Sequence, residues 1–148
     1  MPPVASPSSD RFDLNGARGA DVLGLSPDAL VASVRAGLPT EAFERLRELL
    51  GVPARELSGA LSISERTLVR RREKGRLTPQ ESDRLLRLAR LAELTLAVFE
   101  GDREGARAWL TEPKTLLGGE PPVERADTEA GAREVEDMLY ALEFGFAA

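Results

Sequence analysis

The sequence predicts an all-α protein, in which an N-terminal helix-turn-helix bundle is joined through one long shared helix to a smaller helical unit. Three observations favour this fold class. Apolar residues recur three and four positions apart through most of the chain. Capping residues, Pro and Gly mark where these stretches begin and end. No segment shows the apolar and polar alternation of a strand, and 148 residues suit one domain or two very small ones.

The first elements are a tail and two helices. Residues 1–20 are rich in Pro, Ser and Gly and carry little apolar periodicity, so we expect a mobile tail. Ser26 followed by Pro27 is typical of a helix start. Thr40 is expected to cap a second helix, which ends at Gly51. The residues expected to face the core from these helices are Leu30, Val31, Val34, Leu38, Phe43, Leu46, Leu49 and Leu50.

A helix-turn-helix is predicted over residues 56–68. The short helix opened by Pro53 and a helix that starts at Ser64 are joined by a three-residue turn, in which Ser62 replaces the usual glycine. Gly75 ends the second helix. The residues expected inside the motif are Leu57, Leu61, Ile63 and Leu68, and the small residues expected to let the helices cross closely are Ser58 and Gly59.

The longest helix is predicted to start at Thr78 and to end near Phe99. Thr78, Pro79 and Glu81 form a full capping box with Pro at the first helical position. Because this helix is apolar on most sides, we expect neighbours on most sides and take it as shared between two units. Its apolar residues are Leu85, Leu88, Leu91, Ala92, Leu94, Leu96, Val98 and Phe99.

The rest of the chain is predicted to hold two helices joined by a Gly/Pro-rich loop. Asp102 caps a short helix that carries Trp109 and that Pro113 ends. The final helix starts at Asp127 or Thr128, presents Ala132, Val135, Leu139 and Leu142 to the core, and ends at Gly145. The predicted domains are therefore the tail (1–20), the helix-turn-helix domain (21–77), the shared helix (78–100) and the C-terminal unit (101–148).

Positive charge is concentrated around the predicted helix-turn-helix. Nine Lys and Arg stand against four Asp and Glu between Ser62 and Arg90, in a chain of net charge −5. Duplex-binding proteins neutralise phosphates in this way, so the pattern predicts DNA binding. A solvated helix face with ion pairs is the alternative. We expect base-edge contacts from Ser64, Arg66 and Thr67 and phosphate contacts from Arg70, Arg71 and Lys74.

One recognition helix reads few base pairs, so a symmetric homodimer on an inverted repeat of operator DNA is expected.

The C-terminal unit has the opposite charge, with nine Asp and Glu against three Lys and Arg from Thr111 to Ala148. Two units of opposite charge suggest two partners of opposite character.

Composition excludes several classes of protein. The chain has no His and no Cys, so neither metallohydrolase nor Ser-His-Asp chemistry is expected, nor any metal, cofactor or catalytic residue. No apolar stretch is long enough to span a membrane, which favours a cytoplasmic protein. Carboxylates such as Glu134, Glu136 or Asp137 could serve an enzyme. A solvated helix face explains them better, because they have no His, Cys or metal-ligand partner nearby.

Several segments resemble those of a known family, in the same order. They are ARAWL (106–110), Pro113, LGGEPP (117–122), TEAGAREV (128–135) and EFGF (143–146). Together they resemble the toxin-binding domain of the MbcA/ParS/Xre antitoxins, which pair with RES-domain toxins. The preceding LSISERTLVRR (61–71) and LTPQESDR (77–84) resemble the Xre-like DNA-binding half. The similarity extends from Thr40 to Ala148.

The resemblance implies an antitoxin of a type II toxin-antitoxin system. Its C-terminal domain would neutralise a RES-domain toxin that consumes NAD or transfers from it, and its N-terminal half would repress the shared promoter. The alternative is a stand-alone helix-turn-helix regulator whose C-terminal unit only oligomerises. The residues expected to contact the toxin are Trp109, Gly118, Gly119, Glu134, Phe144, Gly145 and Phe146.

These residues also have physical interpretations of their own. Gly118 and Gly119 permit positive φ and close backbone approach, although a simple turn would use them too. Gly131 costs helix propensity near a helix start, so we expect a packing reason for it. Trp109 is either core or contact. The two phenylalanines, Phe144 and Phe146, lie past the helix, where little chain remains to cover them.

Overall fold

A computed structural model of the chain describes residues 19–145. Every regular element in this range is a helix, which confirms the all-α prediction. Residues 1–18 of the predicted tail and Phe146 lie outside the described residues. The α-helices in chain order are α1 (Ala20–Leu23), α2 (Leu30–Ala36), α3 (Thr40–Leu50), α4 (Ala54–Ala60), α5 (Glu65–Lys74), α6 (Pro79–Val98), α7 (Arg103–Thr111), α8 (Pro122–Arg125) and α9 (Glu129–Phe144); 3-10 turns span Pro27–Ala29 and Thr115–Leu117.

Helix α6 lies at the centre of the packing. Its capping box is present: the Thr78 hydroxyl accepts the Glu81 backbone N–H at 3.1 Å, and the Glu81 carboxylate accepts the Thr78 N–H at 2.9 Å. The helix contacts α1, α2 and α3 from the first half of the chain and α7 and α9 from the second. Its buried apolar residues are Leu85, Leu88, Ala89, Leu91 and Ala92. The domain boundaries given above stay a prediction.

The helix-turn-helix is formed by α4 and α5. The four residues expected inside it are all buried, at 4 % exposed or less. Ser58 is buried as expected, but Gly59 is exposed and a Cβ there would meet nothing within 4 Å. The expectation that Gly59 lets the helices cross is therefore wrong.

The turn of the motif holds Ser62 in the left-handed region, at φ 59°. Its N–H donates to the Gly59 carbonyl at 3.0 Å and the next N–H, of Ile63, donates to the Ser58 carbonyl at 2.8 Å. This pair of bonds closes α4 in a Schellman motif, whose left-handed position glycine normally occupies. Buried Ile63 then fixes where α5 begins.

The predicted tail ends earlier than residue 20. The Gly19 N–H donates to the Glu93 carboxylate of α6, and a Cβ on Gly19 would lie 2.7 Å from the Arg90 backbone nitrogen. Ala20 is fully buried. The last two residues assigned to the tail are thus packed, because Gly19 lets the chain lie directly on α6.

Two residues expected in the core are exposed, Val31 of α2 and Leu142 of α9, whereas Val34 is half-buried against the core. No residue of α2 is buried, and Val31 is 64 % exposed. The 3-10 turn at Pro27–Ala29 delays α2 until Leu30 and leaves it two turns long, while Leu38 enters the core only after Gly37. In α9, Leu142 is 54 % exposed because it lies in the last turn, beyond the buried Leu139. Thr40 does not cap α3, since it is already helical.

Helix α8 and the start of α9 are in close contact. The Thr128 hydroxyl caps α9 by accepting the Gly131 N–H at 3.0 Å. A Cβ on Gly131 would overlap the carbonyl oxygen of Arg125 at the end of α8, which confirms the packing reason expected for this glycine. The connection expected as a loop contains helix α8. No helix within residues 19–145 is long and apolar enough to cross a membrane.

Candidate functional site

The exposed face of α5 carries three cations. Arg66, Arg70 and Lys74 are spaced four residues apart, so they lie along one side of the helix, and each is exposed. None of the three takes part in an ion pair with another described residue. Buried Leu68 holds the opposite side of α5 against α4. This geometry places the three cations where an anionic partner can reach them.

Ser64 and Thr67 have structural partners at the N-terminus of α5. The Ser64 hydroxyl caps the helix by accepting the Thr67 N–H at 3.1 Å. It also lies 2.9 Å from the Thr67 hydroxyl, which accepts a bond from the Arg70 guanidinium at 3.4 Å. These bonds order the first two turns of α5. Ser64 is exposed and Thr67 half-buried, so their contact with base edges stays a prediction.

Arg71 is positioned differently from the other predicted phosphate contacts. Its guanidinium forms two bonds with the Glu81 carboxylate of α6, at 2.7 and 3.2 Å, and the side chains are 18 % and 10 % exposed. Burial acts to raise the pKa of Glu81, but the bonds from Arg71 and Thr78 outweigh it and hold this pKa below its usual value. Arg71 therefore ties α5 to α6, and its contact with a phosphate stays a prediction.

Five further arginines of the basic stretch are also engaged within the chain, among them Arg76, which donates to the Gly37 carbonyl at 3.1 Å. Arg72 pairs with Glu44 at 2.6 Å, and Arg84 donates to the Leu61 carbonyl at 3.2 Å. The other two are on α6 and pair with acids of α9: Arg87 with Glu129 at 3.1 Å, and Arg90 with Glu136 at 2.9 Å and with Glu129 at 3.3 Å. The positive excess seen in the sequence is therefore partly consumed by helix-to-helix ion pairs.

Val69 is a candidate contact that sequence reasoning missed. It lies on α5 between Arg66 and Arg70 and is 53 % exposed. An apolar side chain on a recognition helix can contact the methyl group of thymine. The signal was present in the sequence, because Val69 directly follows buried Leu68 and so belongs to another side of the helix.

Trp109 packs within the C-terminal unit. Its ring lies 6.4 Å from the ring of Phe99, at the end of α6, and the Lys114 ammonium lies 5.2 Å from its centroid. The ring is half-buried against the core. Trp109 therefore acts first as a packing residue that joins α7 to the end of α6.

Gly118 and Gly119 form a tight turn. Both have positive φ, 67° and 85°, and both are exposed with open space around them. The Gly119 N–H donates to the Lys114 carbonyl at 2.9 Å, and the Lys114 N–H donates to the Glu120 carbonyl at 3.1 Å, which closes the loop. Leu116 stands at its tip, 69 % exposed. The two glycines shape a loop that presents an apolar side chain.

Glu134 and the end of α9 complete the predicted contact set. The Glu134 carboxylate is bound by Arg125 of α8 at 2.8 and 3.3 Å, so it joins two helices. Phe144 does not lie past the helix as expected: it is the last residue of α9, is 51 % exposed and stacks on Tyr140 at 6.3 Å. Gly145 ends α9 at φ 66°. Phe144 and Leu142 form an exposed apolar end of α9.

No group of side chains that could hold a metal ion exists among residues 19–145.

Comparison with known proteins identifies both halves of the chain. Residues 29–90 match the antitoxin Xre-like helix-turn-helix domain, and residues 95–145 match the antitoxin Xre/MbcA/ParS C-terminal toxin-binding domain. The fold and the two matches define an antitoxin that combines a DNA-binding domain with a toxin-binding domain. The resemblance found in the sequence is thereby confirmed.

Relatives of known name support the same assignment. The chain is 35 % identical over 117 residues to "Antitoxin Xre" of Yersinia enterocolitica serotype O:8, with 78 % of this chain and 79 % of the relative covered. It is 29 % identical over the same shares to "Antitoxin Xre" of Photorhabdus laumondii, and 39 % identical to that of Pseudomonas putida over 57 % of this chain and 53 % of the relative. The protein belongs to the Xre/MbcA/ParS antitoxin family.

Proposed function

We propose that this antitoxin neutralises a RES-domain, NAD-targeting toxin by direct binding and represses its own operon, in the cytoplasm, as a homodimer on operator DNA. The observation that carries this proposal is the separation of two surfaces. Exposed cations that form no ion pair within residues 19–145 stand on α5, whereas exposed apolar side chains stand at the end of α9. Each surface suits one of the two expected partners.

The surface proposed to bind DNA is the exposed side of α5. Arg66 is nearest the N-terminus of the helix, where recognition helices approach base edges, and Arg70 and Lys74 follow it along the same side. Buried Leu68 and the Arg71–Glu81 pair hold this helix in place. Lysine and arginine that meet phosphates release counterions, which makes the binding salt-dependent.

The toxin surface combines apolar anchors with negative charge. A toxin that binds NAD needs positive charge for the two phosphates, so its site attracts an acidic antitoxin. Phe144 and Leu142 are half-exposed at the end of α9 and suit insertion into an apolar pocket. Their exposure supports a contact role for this end of α9, because exposed apolar side chains that lie together often mark a protein-protein interface.

Truncation after Leu142 tests this assignment. The shortened protein loses the half-exposed Phe144 and keeps the buried Val135 and Leu139 of α9, so the unit is expected to stay folded. When it is co-expressed with the product of the adjacent reading frame, it should fail to protect cells yet still retard promoter DNA in a gel shift. Circular dichroism checks the fold.

Point variants separate contact from folding. Phe144→Ala should weaken pull-down of the toxin, and Val31→Ala, which also removes an exposed apolar side chain, should not. A folded truncated protein that still protects cells would refute the proposed contact. A homodimer that buries Phe144 and ignores the neighbouring gene product would favour the stand-alone regulator.

A further inference from the structure

A cleft of about 490 Å³ lies where the helix-turn-helix meets the C-terminal unit. Leu50, Val52 and Leu57 line it from α3, the following turn and α4, and Pro121 and Val123 line it from the start of α8. Its walls come from both family domains. A ligand in this cleft would therefore touch the DNA-binding half and the toxin-binding half together.

The cleft is negatively charged. Four carboxylates line it, and no Lys or Arg does. Among the ion pairs of residues 19–145, only Glu120 of the four has a cation, Arg125 at 3.6 Å. By contrast, Glu129, Glu134 and Glu136 on α9 are closely paired with arginines. The four lining carboxylates are Glu56, Glu120, Glu124 and Asp127.

We propose that this cleft binds a Lys- or Arg-bearing segment of the protein partner, an inference that rests on the proposed toxin-binding function. Apolar walls accept the aliphatic stem of such a side chain, and the carboxylates accept its charged head. The same charges repel phosphates, which excludes DNA as the occupant. The position adjoins the Gly118–Gly119 loop, since Glu120 belongs to both.

A steric test uses Gly59, which lines the cleft. It is exposed on α4 and has open space for a side chain, so substitution there does not disturb the core. Gly59→Arg places a cation of the same chain into the cleft, whereas Gly59→Ala gives a similar gain in helix propensity without reaching it. We expect Gly59→Arg to weaken binding of the co-expressed toxin about tenfold or more, and Gly59→Ala to leave it unchanged.

A charge test compares two double variants. Glu56→Gln with Glu124→Gln removes two cleft carboxylates, and Asp28→Asn with Glu104→Gln removes two exposed carboxylates elsewhere. The cleft variant should bind the toxin about three to ten times more weakly and with less dependence on salt. The control should match the wild type. Thermal unfolding checks that both double variants remain as folded as the wild type.

A cysteine placed in this cysteine-free chain locates the contact. With bound toxin, Glu124→Cys should react with a maleimide at least about tenfold more slowly, whereas Glu104→Cys should react at its free rate. If the toxin binds at full strength to Gly59→Arg and leaves Glu124→Cys reactive, the cleft is not its binding site, and the proposed function stays intact. Protection without toxin, at concentrations where the chain self-associates, would assign the cleft to a second copy and overturn it as well. Failure of the wild type to bind the toxin would refute both proposals.

Discussion

Arg71 and Glu81 form a two-bond ion pair, at 2.7 and 3.2 Å, between the recognition helix and the first turn of α6. The same carboxylate closes the capping box by accepting the Thr78 N–H at 2.9 Å. Glu81 thus fixes the start of α6 and the direction of α5 with one side chain. Arg71 thus helps to position the helix that carries the other predicted DNA contacts.

Arg71→Ala should destabilise the fold. It leaves the Glu81 carboxylate largely buried without its guanidinium, which costs about 1–2 kcal/mol in the free energy of unfolding. Because the folded pKa of Glu81 is lowered, the stability it contributes is present above about pH 4.3 and is lost as pH falls through the folded pKa. Urea unfolding from pH 7 to pH 3 should therefore show a smaller acid loss in Glu81→Gln than in the wild type. An equal loss in both would contradict this account.

Arg70→Ala with Lys74→Ala should weaken promoter binding without destabilising the protein. Both side chains are exposed, and neither forms an ion pair with a residue of 19–145. If each meets a phosphate, the slope of log K against log salt falls by about two. Arg103→Ala with Arg133→Ala makes the same charge change in the C-terminal unit and should leave the slope unaltered. Gel shifts at several salt concentrations measure both.

Glu93→Gln should stabilise the protein more at pH 7 than at pH 4. Burial raises the pKa of Glu93, the Gly19 N–H acts to lower it, and Asp21 adds to the rise. The stability that protonated Glu93 contributes is present below about pH 4.3 and is lost as pH rises through the raised folded pKa. Glutamine keeps an acceptor for Gly19 and carries no charge. A melting temperature that gains equally at both pH values would count against this prediction.

Ser62→Gly should raise stability by about 0.5–1 kcal/mol, because a serine at φ 59° bears the left-handed penalty that glycine avoids. Gly75→Ala tests the opposite sign. Gly75 has φ 78° and open space around it, so only its backbone conformation opposes a side chain, and the variant should lose about 1 kcal/mol. Chemical denaturation of the two variants should show shifts in opposite directions.

Two N-terminal deletions should differ sharply. Removal of residues 1–18 is expected to leave the melting temperature nearly unchanged, as the composition predicts. Removal of residues 1–23 takes away buried Ala20 and Leu23 and the Gly19 bond to Glu93, so the melting temperature should fall by several degrees. Equal effects of the two deletions would place the docked boundary elsewhere.

The starts of four helices could be predicted from the sequence because N-capping is local. Ser64, Thr78, Asp102 and Thr128 each accept the backbone N–H three residues further on. The core of the helix-turn-helix was equally clear, since Leu57 and Leu68 follow helical periodicity.

The candidate site was harder to predict because ion pairs join distant parts of the chain. Nothing near Arg87 or Arg90 in sequence indicates that Glu129 and Glu136 await them on α9. A run of arginines therefore looked more cationic than the folded surface is. The exposure of Leu142 was missed because it also depends on distant parts of the chain. An apolar stripe on a helix does not show where the neighbouring helices that cover it end.

Helix α6 also sets how such antitoxins could exchange parts. The match to the DNA-binding family ends at residue 90 and the match to the toxin-binding family starts at residue 95, so the border falls inside α6. A chimera cut at this border would take Arg87 and Arg90 from one protein and α9, with the positions of Glu129 and Glu136 that pair with them, from another. A chimera that combines the DNA-binding domain of one antitoxin with the toxin-binding domain of another should therefore take α6 and α9 from the same protein.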